Sequence, residues 1–162
     1  KDDILKAYAS CVRAKIFPQL LNKHKIVFWM DADTIVRKKL NKLFLKLLKL
    51  DTLLFKTVNI DEKKAKQIGH YKTGIIGINS NNKTKQFSNK WNDSIFNSNR
   101  ELKWFLDQIT ISEILNSINK ILIKNLEKTY IDWNFEDSSY IWVGKGKRKN
   151  TKIYLNEESK YK

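Results

Sequence analysis

Lys25-Ile26-Val27-Phe28-Trp29-Met30-Asp31-Ala32-Asp33-Thr34-Ile35-Val36 is the stretch that decides the fold. Five apolar residues follow one another without interruption, bounded by Lys25 and Asp31. A short continuous run of this kind reads as a strand covered on both faces, the pattern of a mostly parallel sheet. In an extended backbone residues i and i+2 project to one side, so Asp31 and Asp33 converge where the strand ends. Paired carboxylates there suit a hard cation such as Mg²⁺ or Mn²⁺, completed by water and phosphate oxygens. Open α/β sheets also take their ligands beyond the carboxyl ends of strands. The spacing alone is weak, since with ten Asp residues about 0.6 occurrences of Asp-x-Asp are expected by chance. The competing reading is a solvated turn in which Asp33 caps a following segment. Placement directly after the apolar run favours metal and phosphate.

Outward from this stretch the pattern alternates. Ile4, Tyr8, Cys11, Val12 and Ile16 form a helical stripe that is expected to end at Pro18. Leu40, Leu43, Phe44, Leu47 and Leu48 recur at helical spacing. Thr52 to Val58 reads as a second strand and Gly74 to Asn79 as a third. Asn81 or Asn82 caps a helix carrying Phe87, Trp91 and Ile95. Another apolar-periodic stretch runs from Trp104 to about Ile123, and strand-like pieces continue from Tyr130. Helices alternating with strands predict an α/β fold with a mixed, mostly parallel central sheet flanked by helices. One domain is expected over residues 1–150, with a basic C-terminal tail over 151–162.

Composition narrows the function classes. The chain has 162 residues, enough for a sizeable core, and its 12% aromatic content argues against a disordered basic tail. The net charge of +15 comes from a basic set in which 28 of 32 residues are Lys. Arg forks and Gly or aromatic interleaving would mark a nucleic-acid binder, and Lys scattered along the whole chain reads as solvated surface. The single cysteine, Cys11, excludes an internal disulfide framework and a multi-Cys zinc site. No apolar run nears the roughly 18 residues of a membrane span. With no signal peptide evident either, cytoplasmic action is expected. The first residue is not Met, which suggests a piece of a longer reading frame.

Several modest motifs in order resemble glycosyltransferases of the GT-A fold, family 8 most closely. Tyr8 and Arg13 lie on the first helix, followed by Ile16-Phe17-Pro18-Gln19-Leu20-Leu21. Met30-Asp31-Ala32-Asp33-Thr34-Ile35-Val36 is similar to the family's Asp-x-Asp strand end. Lys72-Thr73-Gly74-Ile75-Ile76-Gly77-Ile78-Asn79 resembles its glycine-bearing strand, Asp107-Gln108 its Asp-Gln pair and Trp133-Asn134 its late Trp-Asn. The resemblance covers about residues 5–148. It implies transfer of a sugar from a nucleotide-sugar, UDP-linked by default, to an unknown glycan, lipid or protein acceptor. It also implies Mn²⁺ or Mg²⁺ at Asp31 and Asp33, activating the diphosphate leaving group. Arg13, Asp31, Ala32, Asp33, Thr73, Gly74, Gly144 and Lys147 are then the implied donor contacts, and Asp107 and Gln108 the catalytic pair. Trp133 and Asn134 are read as structural.

The pattern also departs from the family. Its His-x-x-Gly-x-x-Lys element aligns with Ile141 through Lys147, which retains Gly144 and Lys147 but has Ile141 at the His position. Lys72 stands where the family has Asn. His24 and His70 read as loop residues rather than ligands. Lys145, Lys147, Arg148 and Lys149 read either as a diphosphate grip or as a basic tail. The βαβ unit that ordinarily opens a GT-A domain has no counterpart before Tyr8. Two other readings stand beside this one: a relative that keeps the fold without turnover, and a basic nucleic-acid-binding domain.

Overall fold

A computed structural model describes residues 2–48, 52–118 and 121–162. Its main sheet has four strands in the order β1-β4-β3-β5: β1 (Ile26–Met30), β3 (Thr52–Thr57), β4 (Tyr71–Asn79) and β5 (Leu122–Asn125). β2 (Thr34–Val36) and β6 (Ile141–Val143) form a separate two-stranded ribbon. The helices are α1 (Asp2–Lys23), α2 (Asn41–Leu47), α3 (Glu62–Ile68), α4 (Asn82–Phe96), α5 (Leu106–Ser117) and α6 (Lys152–Glu158).

The mixed α/β architecture is as expected, but the expected majority of parallel pairs is not. β1 and β3 both run antiparallel to β4, and β3–β5 is the parallel pair. The reason lies in what the apolar run reports. Val27 and Trp29 face a core under α1, α4 and α5, while Ile26, Phe28 and Met30 face a second core with α2. Both faces of β1 are therefore covered, as its hydropathy requires. Strand direction is set by connectivity, which hydropathy does not encode. β4, central in the sheet, is the more deeply buried strand.

Local signals fared unevenly. Asn81 caps α4, accepting from Lys83 N and Thr84 N, while Thr84 Oγ1 reciprocates at Asn81 N. Phe87, Trp91 and Ile95 are buried, as their spacing requires. α1, however, continues past Pro18 to Lys23, with Phe17 and Leu21 buried around the proline. Its buried stripe is Ala7, Cys11, Ala14, Phe17 and Leu21, and Ile4 and Tyr8 are exposed. α1 has apolar residues on several sides, so periodicity leaves its rotation open. The stretch read as helical from Trp104 ends sooner, with α5 stopping at Ser117 and β5 taking Leu122; residues 119–120 lie outside the described residues. Residues 152–158, in the stretch read as a tail, form α6, where Tyr154 is buried against Phe135 and Glu157 pairs with Arg37 at 2.8 Å.

Candidate active site

β1 ends at Met30, and Asp31-Ala32-Asp33 forms the turn into β2 rather than continuing an extended strand. The ladder carries on for one more bond, from Asp31 N to the Gly74 carbonyl at 2.9 Å. The β2–β6 pairing then holds the far side of the turn, and Gly144 N donates to the Asp33 carbonyl at 2.7 Å. Fixed at both ends, the turn directs Asp31 and Asp33 into one crevice. The crevice has an inner cavity of about 460 Å³ and a wider outer one of about 800 Å³, and both carboxylates line both.

Arg13 organises the inner cavity. It reaches from α1, only 6% exposed, and its Nη1 lies 3.0 Å from Asp31 Oδ1. Nε donates to the Ser10 carbonyl at 2.8 Å and stands 3.6 Å from Asp107 Oδ2, and Nη1 also donates to the Thr73 carbonyl. The guanidinium lies 5.6 Å from the Trp29 ring centre, a cation–π distance. Trp29 Nε1 donates to Asp31 Oδ1 at 3.1 Å. Asp107, in the first turn of α5, is 1% exposed and accepts from Thr73 Oγ1 at 2.6 Å. Its other oxygen, Oδ1, is buried with no hydrogen-bond partner among the described residues.

Burial dominates the electrostatics of both acids. It pushes the Asp31 carboxyl above the ordinary range, with Arg13 and the Trp29 N–H opposing and Asp33 adding repulsion. Burial likewise raises Asp107, against the pull of Arg13 and the Thr73 hydroxyl. The site thus holds carboxylates closer to neutrality than they would be in water.

Gly74 and Gly69 leave room for Asp31 and for α5, respectively. A Cβ on Gly74 would sit 3.2 Å from Asp31 Oδ2, so glycine leaves room for that carboxylate. Gly69 ends α3 at φ 68°, and a Cβ there would meet the Gln108 carbonyl oxygen at 2.3 Å. Gly69→Ala is expected to cost about 2 kcal/mol, from the left-handed backbone and the displaced α5. A denaturation midpoint matching the parent protein would contradict this. Phe105 also has positive φ, 68°, where it precedes α5. Its ring lines the inner cavity near Lys72 and Lys145, whose ammoniums lie 5.6 and 5.9 Å from its centre.

Of the residues singled out in the sequence, the inner cavity gathers Arg13, Asp31, Asp33, Thr73, Gly74, Asp107 and Gln108. Ala32 lines the outer cavity. Gly144 and Lys147 line neither. A Cβ on Gly144 would strike the Tyr154 ring at 2.7 Å, so this glycine serves packing against α6. Lys147 is exposed on the 3₁₀ turn Gly146–Asn150, whereas Lys145 and Lys149 reach the inner cavity. The direction of that turn depends on β6 and α6 and has no local signal. Ile141, which the resemblance sets against a His, is wholly buried in the second core.

Asp132 passed unnoticed in the sequence. It is fully buried and accepts from Asn134 N, Glu136 N and Ser139 Oγ at 2.7–2.8 Å. The loop it organises carries Ile131 and Trp133, both of which line the inner cavity. An Asp followed at +2 by a polar residue in a turn-rich segment was the available signal.

No curated protein matches the chain significantly. A family profile described as nucleotide-diphospho-sugar transferase matches residues 6–156, a span that takes in Arg13, the Asp31–Asp33 turn, Asp107 and the first five residues of α6. The chain belongs to the nucleotide-diphospho-sugar transferases.

Proposed function

We infer that this transferase moves a sugar from a nucleotide-diphospho-sugar, UDP-linked by default, to a glycan, lipid or protein acceptor with the help of Mn²⁺ or Mg²⁺. The observation that carries this reading is the convergence of Asp31, Asp33, Arg13 and Asp107 on one cavity. Asp31 and Asp33 supply hard oxygen donors, and the contacts to Trp29 and Arg13 fall on Asp31 Oδ1. No group of three or more His, Cys, Asp or Glu side chains able to hold a metal occurs among the described residues. Two carboxylates suit an ion that keeps water and phosphate oxygens in its shell. When bound, such an ion supplies Lewis-acid stabilisation of the departing diphosphate.

The remaining roles fall to the chain itself. Arg13 fixes Asp31 and Asp107 from one side and keeps both oriented toward the cavity. Lys145 and Lys149 line the same space, and their ammonium groups are suited to phosphate oxygens. Asp107 Oδ1, buried and unpartnered, is available to a sugar hydroxyl or to positive charge developing at the anomeric carbon. Gln108 lines the cavity beside it.

Calorimetric titration of UDP with and without Mn²⁺ tests the metal assignment. Asp31→Asn with Asp33→Asn is expected to weaken Mn²⁺-dependent nucleotide binding by at least about tenfold. Binding of equal strength in the double variant, or binding indifferent to Mn²⁺, would remove the metal from the reading. Release of nucleotide from a panel of nucleotide-sugars tests the transfer itself. No helix among the described residues is long and apolar enough to cross a membrane.

A further inference from the structure

Successive residues of β4 meet partners that lie progressively farther from the Asp31–Asp33 turn. Gly74 faces Asp31, Thr73 donates to Asp107, and Lys72 Nζ donates to Gln108 Oε1 at 3.0 Å. Along a strand rising about 3.3 Å per residue, Lys72 stands on the order of 7 Å beyond Gly74. Its Nζ also approaches the carbonyl of Ile68 at 3.5 Å. Ile68 is the last residue of α3, whose carbonyl end carries the negative pole of the helix.

This ammonium is half-buried, and no carboxylate of the described residues comes within ion-pairing distance of it. Burial and repulsion from Lys145 lower its pKa, with only the more distant Asp107 pulling the other way. A half-buried cation without a counter-ion is costly, and an anionic ligand relieves that cost. The diphosphate belongs at the opposite end, by Asp31 and Asp33; Lys145 lies between the ends, near Asp31 and near the Phe105 ring that Lys72 also approaches. Between the two ends, beside Asp107 and Gln108, lies the place of the transferred sugar.

The geometry points to a donor whose sugar bears a carboxylate, a nucleotide-diphospho-hexuronic acid, with that carboxylate received by Lys72 Nζ. This rests on the transferase reading above. An ammonium–carboxylate contact is a charge-assisted hydrogen bond. A neutral hexose would leave Lys72 with only its neutral partners, Gln108 and the Ile68 carbonyl, which gives discrimination against it.

The test measures binding of UDP, UDP-glucuronate, UDP-galacturonate, UDP-glucose and UDP-galactose in the presence of Mn²⁺. The parent protein is expected to bind at least one uronate donor about tenfold tighter than its neutral counterpart. Lys72→Met is expected to bring the two classes level while its melting temperature shows that it folds. Equal binding of uronate and neutral donors by the parent protein overturns the inference. So does a Lys72→Met variant that loses affinity for UDP as much as for uronate donors, which assigns Lys72 to the diphosphate. Failure of UDP and all four donors to bind overturns the transferase reading itself, and this inference with it.

Discussion

Replacing Arg13 by methionine is expected to destabilise the protein by about 3 kcal/mol, read as a fall in urea midpoint at unchanged slope. The guanidinium is 6% exposed and stands between two acids, one of them Asp107 at 1% exposure. Methionine matches much of the stem volume, so packing contributes little of the loss. The main cost is a carboxylate left without its cation at 1% exposure, together with an unsatisfied Thr73 carbonyl. Asp31 is partly exposed and contributes less, because solvent screens it. A double-mutant cycle separates the causes. In the Arg13→Met/Asp107→Asn protein much of the lost stability should return, since the stranded charge is gone. A loss below about 1 kcal/mol in the single variant, or no recovery in the double, would mean that Arg13 is not compensating Asp107.

Asp107→Asn has the opposite profile. Transfer is expected to fall at least about 100-fold, the scale for losing one preorganised electrostatic group. Stability near neutral pH should change by less than about 1 kcal/mol, because the amide keeps an acceptor for Thr73 Oγ1 and removes a buried charge. The pH dependence comes from the raised Asp107 pKa. The folded protein holds this proton more tightly than the unfolded chain does. Its ionisation therefore costs stability as pH rises from about 4 through the raised value, and the cost is absent at lower pH. The Asn variant should lack that decline. Denaturation curves at several pH values check the slope, and nucleotide release checks the rate. A parallel pH profile in the two proteins, or unimpaired transfer, would contradict the assignment of Asp107.

The two variants bear on how much of the site could be read in advance. Asp107 and Gln108 occupy what periodicity alone reads as the polar side of a helix, yet both are buried at the cavity. Arg13 could equally be read as a surface ion pair, and it proves to be the link among three elements. Lys145 and Lys149 face the cavity while Gly144 and Lys147 do not, because the turn they share is oriented by the packing of Tyr154.

By itself the sequence determined the elements whose causes are local. The covered faces of β1, the Asn81 cap and the buried stripe of α4 each arise from residues a few positions apart, where sterics and hydrogen bonding act directly. Tertiary structure alone decided the direction of strand pairing, the rotation of α1 and the entry of Lys145 and Lys149, rather than Gly144 and Lys147, into the cavity lining. Arg13 meets Thr73 across 60 positions, and Gly144 fastens the Asp33 turn from more than a hundred positions away. Contacts over such separations depend on how the cores close, and hydropathy records only that a residue is buried, not against what.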